Sequence, residues 1–388
     1  MAGWMRACWR VRMRLFLVLL SALLVAAPPM HAQQSFYSHD NYSQYELLDP
    51  ASHQFAITYF VTERRPGAAV LLNQTRSGSA GSDISVFDPQ TGKPLKFDYL
   101  SGEELAKDGT PGRFDPAEHY IRAHLARQVP AGGEGRVKIL KTYKDEKSYY
   151  TEGEDIVFKR SLGIARNAIV LPKGYRLVSS NVASQMFTTA DGRLKISFEH
   201  AHGYAADVTI RARKGGVTPP AAVIPLDRSF EFSKALFDLG PPESHAFSVT
   251  YEYLEYARGA RVRLPASIDL ASDIAVKDVD TGQPLKLSRN GKTAFAELVT
   301  PITADGQSAR LRITGTVSEP RYRVENGVMV WECTIGEPRS TILLPAGWDV
   351  AAVSVTATVT AQSDGRTAIQ IYNGNAEPLP VTIRAVKR

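Results

Sequence analysis

Apolar and polar residues trade places with a period of two along much of this chain. Phe55-Ala56-Ile57-Thr58-Tyr59-Phe60-Val61, Ile121-Arg122-Ala123-His124-Leu125 and Val137-Lys138-Ile139-Leu140-Lys141 all tend to this pattern, and Val353–Thr360 keeps it almost without a break in β-branched residues. Successive strand side chains point to opposite faces, so each run predicts a strand with one buried and one wet face. Asp191-Gly192, Asn290-Gly291, Asn326-Gly327 and Asp364-Gly365 fall between such runs. They predict two-residue hairpins of type I′, whose central positions both need φ > 0. Long helical periodicity is absent. The expected fold is all-β: two tandem, internally duplicated β-sandwich domains, with two smaller sandwiches per copy as the variant that also fits.

The duplication is written in the residues. Ser148–Lys214, slid by 173 positions, lies without a gap on Arg321–Lys387. Leu171-Pro172-Lys173-Gly174 becomes Leu344-Pro345-Ala346-Gly347, and Val208–Ala212 becomes Val381–Ala385. Upstream, Ser52–Tyr59 matches Ser244–Tyr251 at an offset of 192, and Ser82-Asp83-Ile84 matches Ser272-Asp273-Ile274 at 190. The drop from 190 to 173 leaves 17 extra residues in copy 1. They fall in Leu100–Ala117, a surface loop with a helical turn at Gly102–Lys107. The expected domains are residues 49–214 for copy 1 and 222–388 for copy 2, with a Gly/Pro linker at 215–221. Residues 33–48 read as a polar, aromatic lead-in docked on copy 1.

Residues 1–32 read as a secretory signal. Arg6, Arg10, Arg12 and Arg14 precede the apolar run Leu15–Ala27, which is short for a bilayer span, and Ala32 suits cleavage. The formal charge of +6 includes those four arginines, so the mature chain carries only +2. No basic stripe or binding motif remains, and no nucleic-acid partner is expected. No other segment is long and apolar enough to span a membrane, so the expected location is secreted or periplasmic. Cys333 is then the single cysteine; it cannot form an internal disulfide and reads as a small buried residue of the strand Val328–Thr334. Asn41-Tyr42-Ser43 and Asn73-Gln74-Thr75 are glycosylation acceptors in a host that glycosylates.

Residues shared by both copies are most simply explained by the common fold; residues private to one copy are where a private function would sit. Arg166 and Arg339 repeat, and read either as a paired anion site or as arginines capping turn carbonyls or bridging to Glu152 and Glu325. His53 and His245 repeat before a strand and read as turn residues bonded to backbone. His200 and His202 are private to copy 1, with Asn373 and Asn375 in their place in copy 2. On a strand, His-x-His puts both rings on one face, the start of a metal site, while Glu199 points the other way. His119 and His124 face opposite sides of their strand. Tyr149 and Tyr150, and Tyr251, Tyr253 and Tyr256, are aromatic clusters suited to a sugar or peptide platform. Metalloprotease, nucleophile-elbow and phosphate-loop motifs are absent.

Leu125-Ala126-Arg127-Gln128-Val129-Pro130-Ala131-Gly132-Gly133 leading into Arg136–Thr142, and Leu171–Tyr175 followed by Ser180-Asn181, resemble the strand, proline-glycine turn and strand of the N-terminal β-domain of M1-type (gluzincin) aminopeptidases. The resemblance covers about one copy. It implies a non-catalytic β-domain, because the zinc helix of that family lies in a later domain that this sequence lacks. The expectation is therefore a secreted binding or structural protein with a protein or glycan partner and no cofactor. The alternatives are a hydrolase or metal-dependent enzyme using His119, His124, Glu199, His200 and His202, or an accessory module of a separate peptidase.

Overall fold

The structure is a computed structural model and describes residues 41–77, 79–200, 205–215, 227–228, 230–265, 268, 271–291 and 293–388. The signal, His202 and most of the expected linker lie outside the described residues.

Copy 1 runs β1 (Tyr42–Leu47), β2 (Gln54–Glu63), β3 (Val70–Gln74), β4 (Ala80–Phe87), β5 (Phe97–Ser101), helix α1 (Gly102–Lys107), β6 (His119–His124), β7 (Gly135–Lys144), β8 (Tyr149–Glu152), β9 (Asp155–Leu162), β10 (Arg166–Val170), β11 (Tyr175–Ser180), β12 (Gln185–Thr188), β13 (Leu194–Glu199) and β14 (Ala206–Lys214). Copy 2 runs β15 (Ser233–Leu239), β16 (Ala246–Glu255), β17 (Gly259–Arg263), β18 (Ala271–Asp278), β19 (Leu287–Asn290), β20 (Thr293–Ile302), β21 (Ala309–Ser318), β22 (Arg323–Glu325), β23 (Val328–Ile335), β24 (Arg339–Leu343), β25 (Trp348–Val353), β26 (Thr358–Ala361), β27 (Thr367–Tyr372) and β28 (Leu379–Lys387).

The two copies match strand for strand. Copy 1 builds a seven-stranded sheet β12-β13-β10-β1-β2-β7-β4, and copy 2 the same order in β26-β27-β24-β15-β16-β21-β18. Each also has a four-stranded sheet (β11-β14-β9-β8 and β25-β28-β23-β22) and a three-stranded one (β3-β6-β5 and β17-β20-β19). The long sheet is thus shared: one part of its face packs on the four-stranded sheet and another on the three-stranded sheet. Each copy joins two small sandwiches through one common sheet.

β1 corrects the expected lead-in. Tyr42–Leu47 pairs antiparallel with β2 and parallel with β10, in the middle of the seven-stranded sheet. Tyr42, Tyr45 and Leu47 are buried there, so the segment is part of the fold. A second correction concerns Val353–Thr360. It is split between β25 and β26, which belong to different sheets. Ser354 makes the break, donating its N–H to Thr382 and accepting from the Thr382 N–H through its hydroxyl at 2.8 Å. Alternation does not tell one strand from two collinear ones in different sheets. Of the four expected type I′ turns, Asn326-Gly327 has both residues at positive φ (51° and 78°). At Asp191-Gly192, Asn290-Gly291 and Asp364-Gly365 only the glycine is left-handed. In the first and last, longer loops, Thr189–Arg193 and Gln362–Arg366, close the hairpin instead.

The 17-residue excess of copy 1 carries α1 at the expected place. Ser101 caps it in a capping box with Glu104, and Leu105 anchors it in the interior.

Candidate functional site

Shared residues are spent on the fold. His53 and His245 both adopt left-handed backbone (φ 53° and 52°), and their Nδ1 atoms lie 2.9 and 2.7 Å from the carbonyl oxygens of Tyr149 and Tyr322. Tyr149 is fully buried and donates its hydroxyl to the Leu48 carbonyl at 2.9 Å. Tyr322, its counterpart, does the same to Gly240 at 2.5 Å. Tyr150 is half-buried on β8, an edge strand.

Arg166 and Arg339 are buried and cap backbone carbonyls, one of the expected roles, while the carboxylates expected as their alternative partners are engaged elsewhere. Glu152 pairs with Arg211 and Glu325 with Arg323. The two arginines instead reach the segment that leads into β15. Arg166 donates to the Phe230 carbonyl at 2.7 Å; Arg339 donates to the carbonyls of Glu231 at 2.6 Å and Arg228 at 3.1 Å. A guanidinium fork suits such carbonyl rows. Phe232, on the same segment, is buried beneath Arg136, Arg166, Lys234 and Arg310, each 5.1–5.9 Å from its ring. Phe230 packs on Tyr42 of copy 1 and Tyr256 of copy 2. The segment is a wedge between the copies.

Around it, the outer faces of the two long sheets meet through buried ion pairs. Arg310 of copy 2 binds Glu134 of copy 1 at 2.9 Å and its own Asp280; Glu252 sits between Lys234 (3.1 Å) and Arg312; Arg339 of copy 2 binds Glu199 of copy 1 at 2.6 Å. The contact has an approximate two-fold character. Ser308 of copy 2 donates to the Pro89 carbonyl at 2.9 Å, while in the equivalent contact Lys277 of copy 2 donates to the Gly132 carbonyl of copy 1 at 3.3 Å. Positions 88–92 and 130–134 of copy 1 therefore face positions 304–308 and 277–282 of copy 2, which are each other's counterparts.

Beside the wedge, copy 2 carries a cleft of about 340 Å³ lined by Ser233, Tyr251, Glu252, Tyr253, Arg263, Leu264, Pro265 and Glu337. β16 supplies the tyrosines, and the turn before β24 supplies Glu337. Tyr251 packs into the core; Tyr253 lies nearer the surface and donates its hydroxyl to the Arg263 carbonyl at 3.1 Å. Burial raises the carboxyl of Glu337, the nearby Arg228 only partly opposing it. The copy 1 counterparts of Glu252, Tyr253 and Glu337 are Phe60, Val61 and Ile164, so these three polar residues are private to copy 2. Apolar walls with a few convergent polar groups make a ligand site.

Of the metal candidates His200 and His202, the second lies outside the described residues. The His200 Nε2 lies 2.6 Å from the Ile164 carbonyl, and Glu199 is engaged with Arg339. Among the described residues no group of three His, Cys, Asp or Glu side chains has metal-binding geometry. The His124 Nε2 lies 2.7 Å from Asp98 Oδ2, and His119 stacks on Tyr99. Cys333 is partly buried, its thiol pushed up to about 11 by burial. Asn73 is half-buried and bonded to Lys141, and Thr75 is buried.

Sequence reasoning missed a second polar cluster, in copy 1. Lys141 is buried on the inner face of β7, with Nζ 2.7 Å from Asn73 Oδ1 and 4.9 and 5.7 Å from the Tyr143 and Tyr59 rings. Burial, reinforced by the charge of Arg160, lowers its amine to about 7. Arg160, on β9, is buried too; it binds Asp145 at 2.9 Å and lies over Phe55 and Tyr143. In the sequence, Val137, Ile139 and Lys141 fall in the alternation of an ordinary half-buried strand, and only the structure shows that Lys141 faces inward; Lys141 and Arg160 align with Gly315 and Cys333 in copy 2.

No family model and no curated protein matches the chain. Among solved structures, the chain is compared with a tetra-tandem repeat in the extending region of a large adhesion protein at 11% identity, over 88% of this chain and 90% of that one, with a TM-score of 0.11. A score that low gives no shared fold. Among the described residues no helix is long and apolar enough to cross a membrane.

Proposed function

We propose that this is a secreted or periplasmic binding protein without catalytic activity, in which the duplicated halves form one rigid body and the copy 2 cleft docks a protein or glycan partner. The observation that carries the reading is the cleft itself: Tyr251, Tyr253 and Glu337 converge where copy 1 has only apolar residues at two of the three positions. Tyrosine rings offer flat apolar faces, and Glu337, Ser233 and Arg263 offer hydrogen bonds to a hydroxyl-rich or peptide ligand. The leader-like N-terminus supports export. The resemblance to a non-catalytic β-domain of M1-type aminopeptidases points the same way.

The test is a glycan array and a pull-down with the mature chain, residues 33–388. A hit that weakens at least tenfold in both Tyr253→Ala and Glu337→Gln supports the reading. Hydrolysis of a peptide or glycoside panel that disappears in Glu337→Gln would replace it with an enzyme.

A further inference from the structure

In copy 2 the hydrophobic core is continuous across the long sheet; in copy 1 it is two clusters, one under each small sheet. Lys141 and Arg160 stand at the division. Their counterparts explain the difference. Gly315 leaves no room for a side chain, since a Cβ there would meet the Ala271 Cβ at 2.9 Å, and Cys333 packs against the core. Copy 1 thus replaces a packed apolar join with two buried cations and one carboxylate.

The surroundings of Lys141 are unbalanced. From the three-stranded sheet, Asn73 Oδ1 accepts a hydrogen bond from the amine at 2.7 Å, and Arg76, just past β3, reaches across to the Ser161 carbonyl at 2.8 Å. From the four-stranded sheet comes Arg160. From the long sheet come Tyr59 and Tyr143, both neutral because burial raises them. The nearby carboxylate, Asp145, is taken by Arg160, Ser148 and Ser79. A charged amine in this seam has an amide oxygen and two aromatic rings on one side and the Arg160 guanidinium on the other. His124, Asp98 and Arg122 lie on the opposite, outer face of the three-stranded sheet, beside Asp108 at the end of α1.

We infer that this seam is a pH-responsive latch: the neutral Lys141 amine, bonded to Asn73, holds the three-stranded sheet closed on the long sheet, and its protonation loosens that sheet together with the helix-bearing insert that copy 2 lacks. The device acts on the part of copy 1 that carries its private structure. It is independent of the copy 2 cleft. The acquired charge drives opening because the amine gains full hydration only when the three-stranded sheet carrying Asn73 moves away.

Hydrogen exchange on the full chain tests it, with rates corrected for intrinsic pH dependence and followed in β3 and β6. In the wild type, protection of these strands is expected to fall at least tenfold between pH 8.5 and pH 6.0. β17 and β20 of copy 2 serve as the internal reference and stay constant. Lys141→Met removes the titrating group but keeps the histidines, and its protection is expected to be the same at both pH values. Should that variant fold poorly, Asn73→Asp places a carboxylate against the amine, keeps the charge paired, and is expected to abolish the pH response as well. Equal protection of wild-type β3 and β6 at both pH values, or an undiminished loss in Lys141→Met or Asn73→Asp, overturns the latch.

Discussion

At the scale of the residue, the duplication acts as an internal control. Tyr149 and Tyr322 bury the same hydroxyl against the same carbonyl, of Leu48 and Gly240. Phenylalanine at either position leaves that carbonyl without its donor. Each substitution is expected to cost about 1 kcal/mol in urea unfolding, and the two costs should match. Lys141 has no such twin. Its ordinary value lies near 10.5 and its folded value at about 7, so between those values the unfolded chain binds more protons. Stability therefore rises with pH across that window, and the full penalty is present below pH 7. Lys141→Met is expected to raise the melting temperature at pH 6, with the gain shrinking toward pH 10. A constant gain would contradict the burial account. Lys141 was hidden in the sequence because its run alternates as any half-buried strand does. The fold made its face visible only once Ile139 and Tyr143 were known to point inward. The shared histidines were legible for the opposite reason, since a residue kept in both copies before a strand has a backbone role to fill.

At the scale of the element, strands and the insert were readable, and sheet membership was not. α1 falls where the offset between copies changes, because extra residues must loop out of a shared framework. Gly102 fixes its entry: a Cβ there would stand 2.0 Å from the Asp115 carbonyl oxygen. Gly102→Ala is expected to cost about 1–3 kcal/mol, with the change in exchange confined to α1 and the ends of β5 and β6. By contrast, the break between β25 and β26 and the central place of β1 depend on which strands pair across long sequence separations. Alternation reports faces, not partners. The wedge was equally illegible: Arg166 and Arg339 bond the segment before β15, 64 and 111 residues away at Phe230 and Arg228, so no local pattern marks the pairing.

At the scale of the whole molecule, the copies are joined by buried groups and not by the linker alone. Phe232 lies under four cations, and Glu134, Arg310, Asp280, Glu199 and Arg339 form ion pairs within the contact. Such pairs are costly to break singly, because the remaining partner stays buried and charged. Truncating Phe232 removes the centre of the contact, at about 3–5 kcal/mol. The measurement that tests the one-body arrangement most directly is calorimetry of the mature chain and its Phe232→Ala variant. A single transition in the wild type, resolving into two in Phe232→Ala, is the predicted result. Two separate transitions already in the wild type would mean that the halves fold and move independently, and would contradict it.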